Sequence, residues 1–144
     1  MAALTKDTTR AYGATGKDNF TDLPVLASEV IYQGSFVGES SSTGYVRAFN
    51  DGDNFMGIAI AKADNTASGA ANGDQLVRVQ TDGEVELTVT GASVAALGET
   101  VYATTDNDFS LTDSGSDTPI GKVSRHVSGT TVMVRFQAAP SQSL

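Results

Sequence analysis

A chain of 144 residues is the size of one ordinary domain, long enough to bury a core without a metal or a disulfide. It contains no cysteine, so thiol catalysis, disulfides and thiolate metal sites are excluded. Nine Lys and Arg stand against 17 Asp and Glu, and the resulting net charge of −8 argues against a nucleic-acid partner, whose phosphates need a basic surface.

The first ten residues are polar and lack the apolar stretch of a signal peptide. No apolar run approaches the roughly 20 residues of a membrane helix. Synthesis and folding in cytoplasm, with no membrane partner, are therefore expected. Residues 1–24, MAALTKDTTRAYGATGKDNFTDLP, show neither strand alternation nor helical periodicity, and their apolar residues are isolated. Such a stretch predicts an extended N-terminal arm, ordered by its own domain or by a neighbouring chain. Leu4, Tyr12 and Phe20 are its candidate anchors, and Lys6, Arg10 and Lys17 form one candidate basic patch. Deleting residues 1–20 is expected to leave the domain folded and to weaken assembly.

From Val25 to Gln137 the chain reads as strands. Residues 25–33 are apolar and β-branched, 35–39 are short, and 45–49 alternate before the turn chemistry of Asn50-Asp51-Gly52-Asp53. Residues 55–63 place Phe55, Gly57, Ala59 and Ala61 on one side and Met56, Ile58 and Ile60 on the other. Apolar residues on both faces predict a central strand. Residues 64–74 are a polar loop. Residues 75–80 and 84–90 alternate around Asp82-Gly83, a hairpin signal. Residues 92–97 read as one helical turn or a loop. The last strands are expected at 99–104, 108–112, 119–126 and 130–137, and 138–144 form a small polar tail. Eight to ten short strands with turns between them predict an all-β fold, a small antiparallel barrel or sandwich.

The two halves echo one another weakly. Glu29-Val30-Ile31-Tyr32 matches Glu99-Thr100-Val101-Tyr102, and Tyr45 to Ala59 matches Phe109 to Val123 without a gap. That match aligns Asp53 with Asp117, Met56 with Ile120, and Gly57 with Gly121. Val77-Arg78-Val79-Gln80 matches Val134-Arg135-Phe136-Gln137. The two glycines are expected at equivalent bends, or where two backbones approach closely.

Residues that carry chemistry are sparse. His126 is the single histidine, near Ser124, but no nucleophile elbow precedes a helix. The pairs Asp51/Asp53, Asp106/Asp108 and Glu84/Glu86 lack the aromatic platforms of a sugar cleft, and there is no tryptophan. The acidic clusters lack the order of a calcium loop and read as turns. Gly13-Ala14-Thr15-Gly16-Lys17 is followed by Asp18, so the phosphate-loop motif is incomplete. No enzyme activity, cofactor or metal is expected.

The stretch from Leu26 to Phe136 resembles a family of tailed-phage head decoration, or capsid cement, proteins. The residues that carry the resemblance are VLASEVIYQGSFVG, FMGIAIAKA, GDQLVRVQTDGEVEL, LGETVYATTDNDFSLT and IGKVSRHVSGTTVMVRF. Within them stand Gly57-Ile58-Ala59, Gly73-Asp74 with Val77 and Val79, Gly98-Glu99-Thr100-Val101-Tyr102, and Ile120-Gly121 with Val132 and Val134. The resemblance covers about three-quarters of the chain. It departs from the family in a longer N-terminal arm and an extended 64–74 loop. It implies a virion protein on the capsid exterior, a β-barrel whose partners are the major capsid protein and copies of itself, a trimer before a dimer. The alternative is a carbohydrate- or receptor-binding β-module of a virion, and an acid-based hydrolase stands third.

Overall fold

The computed structural model describes residues 3–13, 19–40, 42–115 and 117–141. They form an all-β body of two antiparallel sheets and one short ribbon, with no α-helix among the described residues. The strands are β1 (Tyr12–Gly13), β2 (Phe20–Pro24), β3 (Val30–Ile31), β4 (Phe36–Glu39), β5 (Val46–Ala48), β6 (Asn54–Ala59) and β7 (Ala63–Asp64). They continue as β8 (Leu76–Gln80), β9 (Asp82–Thr88), β10 (Thr100–Ala103), β11 (Phe109–Ser110), β12 (Thr118–Ser128) and β13 (Thr131–Gln137). One sheet has the order β2-β8-β6-β4-β5 and the other β1-β9-β13-β12-β10-β11, while β3 pairs with β7. The expected helical turn is a 3₁₀ turn at Val94–Ala96, capped by the Ser93 hydroxyl.

The internal repeat is a property of the fold. Val37 stands opposite Gly57 in the first sheet, and Val101 stands opposite Gly121 in the second. Each pair is followed by a bulge, which leaves Met56 and Ile120 as the extra residues. A methyl group built on Gly57 would lie 2.5 Å from the Gln80 carbonyl oxygen, and one on Gly121 would lie 1.9 Å from that of Arg135. Both glycines therefore mark close backbone approaches, as the sequence predicts. Each sheet also curls back on itself through a parallel bridge, Val25 to Val46 in the first and Thr90 to Ser110 in the second.

The pairing registers correct two of the matched sequence blocks. Phe36–Glu39, not Glu29 to Tyr32, corresponds to Thr100–Ala103, and Val30–Ile31 pairs instead with Ala63–Asp64. Gln80 stands opposite Ile58 as Arg135 stands opposite Lys122, so the third block shifts by two residues. A shift of two keeps every side chain on its face, which is why sequence alone does not detect it. At β11 the gapless match slips by one: Arg47 faces Gly38, but Ser110 faces Tyr102.

Three further expectations change. The Asp82-Gly83 dipeptide is not a hairpin, because β8 joins the first sheet and β9 the second. Turn chemistry is local, whereas β8 already has β2 and β6 on its two sides. In β6 the bulge at Met56 breaks strict alternation, so Phe55 and Ile58 share one face while Met56 and Ala59 share the other. The strand is central, between β8 and β4. Finally, strand structure begins within the predicted arm. Phe20–Pro24 pairs with β8 as Glu84 to Thr88 pair with β13, so the first repeat opens on β2.

Two apolar cores follow from this stacking. The face of the second sheet that carries Val101, Ile120, Val123, Val132 and Val134 packs on Phe36, Phe55 and Ile58 of the first. Phe36 lies at the centre, 4.5 Å from the Phe109 ring and 5.3 Å from the Phe55 ring. The opposite face of the first sheet buries Val37, Ala59, Val77 and Val79 under Val25, Ile31 and Ala63. Asn65 holds the long 64–74 loop over this smaller core, donating from its side-chain amide to the carbonyls of Val25, Leu26 and Ala71.

Candidate functional site

The N-terminal arm is clipped to its own body. The Leu4 N–H donates to the Asp106 carboxylate at 3.2 Å, and the Thr8 N–H donates to the Gln33 carbonyl at 2.8 Å. The Asp7 carboxylate accepts the Gln33 N–H. The Glu86 N–H donates to the Ala11 carbonyl, and Tyr12–Gly13 continues the contact as β1 on β9. Gly34 makes room for the arm: a side chain there would meet the Thr8 carbonyl oxygen at 2.1 Å.

The candidate residues divide. Leu4 is half-buried and Lys6 is exposed. Arg10 leaves the expected basic patch. Its Nε donates to the Gly34 carbonyl at 2.5 Å, its Nη2 donates to Asn107, and its guanidinium lies 5.6 Å from the Phe36 ring centre. The Tyr12 side chain and all of Lys17 lie outside the described residues. Phe20 stays 47% exposed on β2 and is not an anchor to its own domain. Removing residues 1–20 takes β1 from the edge of the second sheet and Phe20 from the end of β2, while residues 21–24 keep their pairing with β8. Sequence reasoning missed the strands in the arm because a two-residue strand and a Pro-ended edge strand carry no alternation to read.

Asp106 is the buried polar group at the root of the arm, accepting from Leu4 and from the Ser35 hydroxyl at 2.9 Å. Burial holds its carboxyl above the ordinary value of 3.8, against the opposing pull of Ser35, Leu4 and nearby Arg10. A raised folded-state value means that the native state keeps its proton longer than the unfolded chain. This group's contribution to stability is therefore full below pH 3.8 and declines as pH rises through the folded value. The stability of wild type minus that of Asp106→Asn is expected to fall over that window in a urea-unfolding pH series. A difference that stays flat or rises would contradict the assignment.

The other candidates bind within turns or across strands. Ser124 donates to Glu84 at 2.5 Å, with the Met133 carbonyl a more distant acceptor at 3.2 Å, while the His126 Nε2 lies 3.0 Å from the Gly129 carbonyl. Serine and histidine thus face different partners, separated by a bulge in β12. Asp53 forms a bidentate pair with Arg47 at 2.9 and 3.0 Å, and Asp108 accepts from Thr105. Among the described residues no group of three His, Cys, Asp or Glu gathers to hold a metal. No described helix is long and apolar enough to cross a membrane.

What the body presents outward is an open groove of about 580 Å³ on the outer face of the second sheet, lined by Thr100, Pro119, Lys122, Arg135 and Gln137. The same face of the first sheet carries Phe36, Phe55 and Ile58 and is covered. Thr100, Pro119 and Lys122 replace those three residues, so this face is left open, with Ile120 and Phe136 also lining the groove. Large apolar side chains are exposed elsewhere, at Leu76 (58%), Val94 (73%) and Leu97 (66%). The chain matches no protein-family model and no curated protein.

Proposed function

We propose that this protein is a capsid decoration protein that binds across neighbouring subunits of a phage head and stabilises the shell. One observation carries the reading: the motifs of the family resemblance are the residues that build the two repeats. Gly57-Ile58-Ala59 lies at the β6 bulge, Val77 and Val79 lie on β8, Val101 on β10, and Ile120-Gly121 at the β12 bulge. A rigid, acidic body with isolated apolar side chains outside suits a protein whose work is contact. Binding to the assembled lattice, and not to free subunits, stabilises the lattice by mass action. A symmetric oligomer, a trimer by the resemblance, adds effective concentration. The arm contributes little reach, because most of its described length is engaged with the body. Phe20 and Leu76, exposed at opposite ends of the β2–β8 pair, are the better contact residues.

The test uses capsids stripped of this protein. Re-addition is expected to give co-sedimentation and to raise the capsid melting temperature by several degrees. The double variant Phe20→Ser, Leu76→Ser is expected to keep its fold and lose most of that gain. Unchanged melting, or no co-sedimentation, removes the proposal. The open groove favours the second reading, a receptor- or glycan-binding module, and saturable binding to host cells without capsid binding would establish it.

A further inference from the structure

One strand edge that is covered in the second repeat stands open in the first. On either side of β2, the Asn19 carbonyl accepts the Thr81 N–H and the Val25 N–H donates to the Gln75 carbonyl, in register with the β2–β8 pair. Alternation along an antiparallel pair then turns the backbone N–H and C=O groups of Phe20 and Asp22 away from β8. The equivalent positions of the second repeat are Glu84 and Glu86, which face Arg135 and Met133 as Phe20 and Asp22 face Gln80 and Arg78. There the arm supplies a partner: the Glu86 N–H donates to the Ala11 carbonyl, and Gly13 stands opposite Glu84. Among the described residues no strand takes that place beside β2, which ends its sheet.

We propose that this edge pairs with the same edge of a second copy, β2 antiparallel to β2. Charge selects the occupant. Residues 19–25 and 75–81 carry one acid and one base, Asp22 and Arg78, and these bind each other at 2.9 Å. Two chains of net charge −8 therefore meet here across a neutral strip. Charge also selects the register. Centring the pair on Asp22 would set like charges opposite each other, which destabilises a strand pair. Centring it on Thr21 sets Phe20 opposite Asp22 of the second copy and bonds the outward N–H and C=O groups of both residues on each chain. Phe20, 47% exposed in the single chain, then packs beside the Asp22–Arg78 pair of the second copy. Pro24, which has no N–H, ends the edge. A contact this short lies below the roughly 800 Å² per partner of a stable complex, which makes the dimer weak, with a Kd on the order of 10⁻⁵–10⁻⁴ M. The inference does not rest on the capsid reading.

The experiment follows mass by sedimentation equilibrium, and amide exchange by NMR, on the full chain at concentrations well below and well above the expected Kd. Wild type is expected to pass from monomer to dimer over that range. The Phe20 and Asp22 amides should exchange about tenfold more slowly in the dimer, while those of Thr21 and Leu23, turned toward β8, are protected throughout. This measurement needs no variant. Asp22→Pro removes an outward N–H and leaves the bonds of Thr21 and Leu23 to β8, so it should stay monomeric. Asp22→Ala keeps the N–H and should still dimerise. A wild type that stays monomeric, Phe20 and Asp22 amides that exchange alike at both concentrations, or a dimer that survives in Asp22→Pro overturns the proposal. Protection that appears only when stripped capsids are added also overturns it, and gives the edge to a capsid strand.

Discussion

Phe36→Ala is expected to destabilise the protein by about 4 kcal/mol, the scale of emptying a fully buried aromatic site. Phe36 is 0% exposed and belongs to the first sheet, yet its ring fills the core of the second. It touches Phe55 and Phe109 and lies beneath Arg10, so its loss opens a cavity at the joint of sheet, sheet and arm. Neighbouring strands cannot collapse into that space without breaking the β4–β6 register, because Val37 is fixed opposite Gly57 one residue away. Urea unfolding measures the effect directly. Phe36→Leu should recover more than half of the loss, and a cost under about 1.5 kcal/mol for Phe36→Ala would mean that the two sheets do not share this core.

Gly121→Ala is expected to cost about 3 kcal/mol, at the upper end for an added methyl group. The new carbon would sit 1.9 Å from the Arg135 carbonyl oxygen and 2.8 Å from the Phe136 Cα, both backbone atoms of β13. Relief requires β12 and β13 to part, and that pair connects to β9 and β10 on either side. Gly57→Ala meets Gln80 in the same way at 2.5 Å, and its φ of +131° adds backbone strain. Both variants should therefore lower the urea midpoint. Gly52→Ala, with φ +88° but open space around it, should cost less than either. Equal effects at all three positions would mean that backbone conformation, not close approach, sets the requirement for glycine.

Much of this fold can be read directly from the residues. Alternation in 76–80 and 84–88, β-branched runs and Gly-rich turns gave strands at the right places. The match of Asp53, Met56 and Gly57 with Asp117, Ile120 and Gly121 located the repeat, because a bulge and a close approach need particular residues. The arm was harder. Phe20 to Pro24 have no apolar face to display, since an edge strand is specified by its partner's backbone groups, and those lie over 50 residues away in β8.

The candidate site shows the same division. Sequence supplied Arg10 as a charge for a partner, while the structure turned it inward to the Gly34 carbonyl and the Phe36 ring. Asp117 was matched to Asp53, but only the structure shows that Arg47 pairs with Asp53 while Ser114 holds Asp117. Composition and periodicity, acting within a few residues, determined the all-β class, the strand positions and the twofold internal pattern. Which strand joins which sheet, which face is covered and which charge turns inward depend on contacts between distant residues. Those were decided by tertiary structure, because burial and pairing are settled only when the two sheets meet.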